Sequence, residues 1–284
     1  MLNALTIDLE DWYHPELVRC SLPSGELEVQ IEHSTRLLLN LLRRREVKAT
    51  FFVVGEIAQR HPRLIEAIAA QGHELACHGM SHKPLWQMAP DEFRAELQEF
   101  ATTMRAVVPA VKIIGFRAPT FSLDNRTRWA LGVLTECGYY YDSSIFPLKN
   151  PVYGVNGCPL MPYRPSSEDV TSADREGALV EFPMSVWAWA GMKVPVCGGF
   201  YLRALPFGLV RFCLQQISQC RPFTIYVHPW EVYPNTPRLA LPFLSRFVTY
   251  YNIGAMMHRL VALLDAFSFA PMRVVLEEIG ELRK

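Results

Sequence analysis

Short apolar runs alternate with segments of helical spacing along the first half of the chain. Residues 3–9 predict a strand and 28–46 an amphipathic helix. Ala49 to Val54 predicts a strand, 62–71 a helix and 73–77 another strand. A helix over 90–107 opens on Pro90-Asp91-Glu92, where acids suit the positive end of the dipole. Strand 112–116, helix 124–137 and the short strand Tyr139 to Tyr141 follow. This rhythm is that of a parallel sheet with crossover helices.

After Asp142 the rhythm breaks. Residues 143–178 are rich in Pro, Gly, Ser and Asn and predict a long loop. Strand 179–183, an aromatic and glycine-rich loop at 185–201, helix 205–219 and strand 223–227 come next. A loop through 250, helix 251–267 and strand 272–276 end the chain. Roughly seven strands, each parallel one followed by a helix, favour a distorted (β/α) barrel over an open sheet. No repeat or linker appears, so the expectation is one domain over 1–284 with a long insertion at about 143–201.

Composition narrows the function classes. Half of the 284 residues are hydrophobic and a fifth charged, which provides for a large core. Lys plus Arg equals Asp plus Glu at 28 each, which gives no footprint for nucleic acid and no basic run for a membrane-surface anchor. Seven dispersed cysteines without a CxxC pair predict free thiols of a cytoplasmic protein. A strand beginning near Leu2 leads to the expectation of no leader, and no apolar run is long enough to span a bilayer.

In a parallel barrel, reactive groups collect at the C-terminal ends of the strands. The polar residues ending the predicted strands are Asp8, Glu10 and Asp11, then His78 and His82, then Arg117, then Asp142, then His228 and Glu231. His78 and His82, four apart, can share a cation if they lie on a helical turn. A carboxylate from the first strand would complete three protein ligands and leave coordination sites open. Strand alternation puts Thr6, Asp8 and Glu10 on one face; Asp11 joins them only if the chain turns. Arg117 can pair with a carboxylate, and His228, with Asp142 to orient it, can serve as an acid. Each residue alone also has a structural reading, such as a solvated strand end, an ion pair or a core histidine.

Together the motifs resemble the polysaccharide deacetylases of the NodB-homology class, carbohydrate esterase family 4. The resemblance rests on Lys48–Gly55, on Gly72-His73-Glu74-Leu75-Ala76-Cys77-His78-Gly79-Met80-Ser81-His82 and on Gly115-Phe116-Arg117-Ala118-Pro119. Tyr141-Asp142-Ser143-Ser144 and Tyr226-Val227-His228-Pro229-Trp230-Glu231 complete it. Asp8-Leu9-Glu10-Asp11-Trp12-Tyr13-His14 and Gly198–Arg203 look like the branch associated with exosortase and exopolysaccharide gene clusters.

The resemblance implies a divalent cation, most often zinc, and an N-acetylated carbohydrate substrate. It implies Asp8 as general base, His78 and His82 as metal ligands, Arg117 holding the base, His228 as general acid and Asp142 as the acid's partner. The usual adjacent aspartates are absent here, so the third ligand is expected to be Asp11, with Glu10 close behind. Trp12, His14, Phe121, Trp230 and Glu231 are expected to contact the sugar. Phe116, Trp187, Trp189, Phe200 and Tyr201 are further candidates for a stacking floor. Two other readings stay open: a hydrolase of cyclic amides or imides, and an inactive carbohydrate-binding protein. The expected compartment is cytoplasmic, or the inner membrane face, with a lipid- or nucleotide-linked precursor as substrate.

Overall fold

The computed structural model describes residues 1–25 and 27–282. Ten strands are present among the described residues: β1 (Leu2–Leu9), β2 (Thr50–Val53), β3 (Glu74–Cys77), β4 (Gly115–Phe116), β5 (Tyr141–Asp142), β6 (Val180–Glu181), β7 (Val186–Trp189), β8 (Met192–Pro195), β9 (Thr224–Val227) and β10 (Ser268–Ala270). Seven of them curl into a half-barrel in the order β9-β1-β2-β3-β4-β5-β6, every pair parallel. β10 pairs with the start of β1, while β7 and β8 form a separate antiparallel hairpin. The extended stretch before Gly198 lies beside β9, with Gly198 bridged to Tyr226, and partly closes the gap to β6. Gly198 has φ of 153°, and a Cβ there would stand 2.1 Å from the Tyr226 carbonyl oxygen, so only glycine fits.

Parallel sheets are covered on both faces, and β1 is buried along almost its whole length. Helix Ile31–Arg44 buries Ile31, Thr35, Leu38, Leu39 and Leu42 at helical spacing. Helix Pro90–Val107 buries Phe93, Leu97, Phe100 and Met104 the same way and starts on the expected proline.

The second half departs from the sequence reading in several places. The expected strand 272–276 is helix Met272–Glu278, and the strand is the preceding Ser268–Ala270. Its buried residues, Met272, Val275 and Leu276, sit at i, i+3 and i+4, which a short apolar run disguises. The loop expected at 185–201 contains the hairpin and the start of helix Gly199–Ala204, and the loop through 250 contains helix Phe243–Tyr250. Helix Gly55–Arg60, between β2 and helix Pro62–Ala70, has no counterpart in the sequence reading.

Candidate active site

β1 delivers Thr6, Asp8 and Glu10 to one side of the sheet, as alternation requires. Arg117, directly after β4, is fully buried and spends its guanidinium on Thr6, Asp8 and Ser143. Its Nη1 donates to Asp8 Oδ1 at 2.6 Å and to Thr6 Oγ1 at 2.8 Å. Nε donates to the Ser143 carbonyl at 3.0 Å and Nη2 to Ser143 Oγ at 2.9 Å. The guanidinium lies 4.1 Å from the centre of the Phe52 ring. This fork on two strand ends fixes the Asp8 carboxylate in one orientation.

His78 and His82 follow β3. The segment between them is not the expected helical turn but an irregular loop, with left-handed φ at Gly79 (77°) and His82 (56°). The Glu96 carboxylate holds it by accepting from the backbone N–H of Met80 at 3.1 Å and of Ser81 at 3.3 Å, and from Ser81 Oγ. His78 Nδ1 meets the Arg117 carbonyl at 2.7 Å, which leaves Nε2 for the site. His82 Nε2 lies 2.6 Å from Glu10 Oε2, and its buried Nδ1 has no partner.

Ligand atoms of Glu10, His78 and His82 all lie within 4.8 Å of one another, and all three residues are buried. Burial would raise the Glu10 carboxyl, but His82, His228 and His78 outweigh it and hold Glu10 well below the usual carboxylate range. Burial brings His78 down to about 4 despite the carboxylates nearby, so it is neutral and able to donate a lone pair. A carboxylate, a neutral imidazole and a second histidine, all buried together, make a donor set that fits a divalent cation. Locking His78 through its other nitrogen is the usual support for a metal-bound imidazole.

Asp11 is not in this cluster. The chain tightens after β1, with the Glu10 N–H on the Asp8 carbonyl at 2.9 Å, and turns the Asp11 side chain away. Its Oδ2 accepts from the backbone N–H of Gln30 at 2.9 Å and Ile31 at 3.0 Å, at the start of helix Ile31–Arg44, and Oδ1 accepts from Trp12 N–H at 2.8 Å. Burial pushes Asp11 up to about 6 against those three donors. The favoured third ligand is thus a remote helix cap, and Glu10 is the carboxylate that stands with His78 and His82. Asp11→Ala should lower unfolding stability by about 2 kcal/mol, as lost caps and orphaned N–H groups do, with cation uptake retained. Glu10→Ala should do the reverse. Urea midpoints and metal content of the two variants check this; loss of cation from Asp11→Ala at unchanged midpoint would contradict it.

His228 ends β9, next to β1. Its Nδ1 is 2.8 Å from Glu231 Oε2, and its Nε2 is 3.2 Å from Glu10 Oε1 and 4.0 Å from Asp8 Oδ2. Burial alone would lower its pKa, but Glu10, Glu231 and Asp8 raise it to about 9. Glu231 in turn accepts from Arg203 Nε at 2.8 Å, and both are buried.

Asp142, the expected partner of His228, is elsewhere. It pairs in register with Glu181 across β5 and β6 and accepts from Ser144 Oγ at 2.5 Å. Burial raises both carboxyls, and for Glu181 the nearby Asp142 adds to the rise and takes it well above its usual range. Sheet order explains the difference: β5 is paired between β4 and β6, where Asp142 faces Glu181, whereas Glu231 is three residues along from His228.

The residues expected to touch sugar are all buried. Trp12 spends its indole N–H on the Glu28 carbonyl at 2.8 Å and packs with Trp230. His14 Nδ1 accepts from Asp11 N–H at 2.9 Å, and its ring lies 5.6 Å from that of His82. Phe121 packs on Tyr226, and Trp230 stacks on His228 at 5.3 Å. Phe116 is core, Trp187, Phe200 and Tyr201 are half-buried, and Trp189 is exposed. Arg203, Glu96, Thr6 and Ser143 support the site without having been singled out as site residues. An arginine isolated in the apolar stretch Gly198–Leu205 was the one available signal.

Residues 24–141 match the polysaccharide deacetylase family, and residues 143–277 match a domain of unknown function (DUF3473). The chain carries a polysaccharide deacetylase domain of the NodB-homology class. Over 101 residues it is 32% identical to a peptidoglycan-N-acetylglucosamine deacetylase of Bacillus cereus, covering 34% of this chain and 35% of that protein. Over 82 residues it is 35% identical to a chitooligosaccharide deacetylase of Sinorhizobium fredii, covering 29% of this chain and 38% of the relative. The chain thus spans little more than a third of the length of these curated relatives. Its fold resembles that of a Mycobacterium smegmatis chain assigned to the polysaccharide deacetylases, with TM-score 0.62 and 20% identity over 98% of this chain and 89% of that one. The site of this deacetylase-domain protein draws on three regions. Asp8 and Glu10 precede the family match, His78, His82 and Arg117 lie within it, and His228 and Glu231 lie in the second match.

Proposed function

We propose that the chain is a metal-dependent deacetylase that hydrolyses the N-acetyl group of an acetamido sugar, releasing acetate. The observation that carries this reading is the cluster of Glu10, His78 and His82 with His228 beside it, within 3.2 Å of Glu10 and 4.0 Å of Asp8. The similarity to chitooligosaccharide and peptidoglycan deacetylases supports the substrate class.

A divalent cation held by Glu10, His78 and His82, most often zinc in such sites, would acidify a water and polarise the acetyl carbonyl. Asp8, oriented by Arg117, accepts the proton of the attacking water. His228, charged through Glu231, donates from Nε2 to the departing sugar nitrogen, because an amide anion leaves poorly. Acetate and a free amino sugar result. The site residues arise from strand ends of a rigid sheet, which suits precise placement. The natural substrate in this reading is a polysaccharide repeat unit or its lipid- or nucleotide-linked precursor.

Protein loaded with zinc, cobalt or manganese should release acetate from an N-acetylated chitooligosaccharide and leave cyclic imides intact. Turnover of an imide in the absence of acetate release would replace this reading with that of a cyclic amidase.

A further inference from the structure

The balanced formal charge conceals a segregation. Between Glu181 and Asp265 the only acid is Glu231, and it is buried against Arg203 and His228. The same stretch holds seven Lys and Arg residues, of which Arg211, Arg238 and Arg246 are exposed. It also holds the most exposed large apolar side chains of the described residues.

Helix Phe243–Tyr250 concentrates both properties. Phe243 is 86% exposed and Leu244 69%, and Phe247 and Tyr251 follow on the outer side. Thr249 and Tyr250 face inward and seat the helix, so its larger apolar side chains, Phe243, Leu244 and Phe247, are the ones left outside. Exposed apolar side chains clustered in this way mark an interaction surface. Its one charged residue is the exposed Arg246, and neither Arg246 nor Arg238 has a carboxylate within ion-pair distance among the described residues. The helix stands at the rim of the site: Arg203, which supports Glu231, also donates from Nη2 to the Val248 carbonyl at 2.9 Å and from Nη1 to the Tyr251 carbonyl.

We propose that this face docks the protein on a bilayer surface bearing anionic headgroups. Aromatic and aliphatic tips beside arginines are what an interfacial helix presents to such a surface. A second copy of the chain is a poor occupant, because it would set the unpaired Arg238 and Arg246 against themselves. The overall charge balance predicts no basic anchor; the distribution along the chain supplies one. The docking holds whether or not the deacetylase reading does, because it uses none of the site residues.

Co-sedimentation of the whole protein with vesicles tests it. Binding is expected to phosphatidylcholine vesicles containing phosphatidylglycerol, weakened by salt, and not to phosphatidylcholine alone. Phe243→Ser with Phe247→Ser should weaken it about tenfold or more, as loss of two inserted rings implies. Arg246→Glu should do the same through charge, and stands in where the double variant loses its circular dichroism spectrum. Acetate release from a soluble oligosaccharide should not change in either variant. Equal binding to phosphatidylcholine alone, or undiminished binding by folded variants, would overturn the proposal. So would self-association of the free protein that the same substitutions abolish.

Discussion

Asp8→Asn is expected to lower turnover of an N-acetylated oligosaccharide by between about 100- and 10,000-fold, the range a positioned general base supplies. The change removes the proton acceptor and preserves shape. Arg117 Nη1 would still meet an oxygen at the position now 2.6 Å away, and Thr6 Oγ1 would still accept at 2.8 Å. The Glu10–His78–His82 cluster does not include Asp8, so cation content should stay at that of the unaltered protein. Steady-state kinetics with metal analysis separates the two effects. A variant that has lost its cation would mean that Asp8 is a ligand; a variant with unchanged turnover would mean that another group takes the proton.

The second large effect concerns His228 and the carboxylate behind it. His228→Ala should reduce turnover by about 100-fold or more for an N-acetyl sugar, and far less for an activated aryl acetate ester, whose phenolate leaves without protonation. Glu231→Gln tests the support of the acid. His228 is raised to about 9 by Glu10, Glu231 and Asp8 against the effect of burial. A general acid works while protonated, so activity falls as pH rises through its pKa. Removing one carboxylate lowers that pKa, and the alkaline limb of the pH–rate profile should move to lower pH. Asp142→Asn, remote from His228, should leave the limb in place. An equal loss on both substrates in His228→Ala, or an alkaline limb unmoved by Glu231→Gln, would show that His228 holds the sugar or the fold instead.

These roles show what a sequence can carry and what it cannot. The first half of the barrel was legible because each strand and helix there has its own period and its own stops: Pro90 opens its helix where expected, and β1 runs apolar up to Asp8. The strand-end rule then located Asp8, His78, His82, Arg117 and His228 at one edge. The choice between Glu10 and Asp11 was not legible, because it depends on a turn right after β1 and on a helix start nineteen residues away in sequence. Alternation pointed to Glu10, while the family's use of a second aspartate pointed to Asp11, although the two aspartates are not adjacent here; local geometry follows alternation. Asp142 was misplaced for a related reason. Its partner is set by strand order, which places β5 against β6 and β9 against β1, and no periodicity encodes that order. The elements after Asp142 are short, separated by prolines and glycines, and stabilised by distant packing, so helix Phe243–Tyr250 and the β7–β8 hairpin left little periodic trace.

The central claim is that Glu10, His78 and His82 hold the cation on which N-deacetylation depends. Its most direct measurement follows acetate and free amine together from one N-acetylated chitooligosaccharide, using protein stripped of metal, reloaded protein, and a His78→Ala, His82→Ala variant with circular dichroism matching the unaltered chain. The account predicts equal amounts of acetate and new amine from the reloaded protein, and none above background from the stripped protein or the variant. Full turnover by the stripped protein, or by the variant, would contradict it.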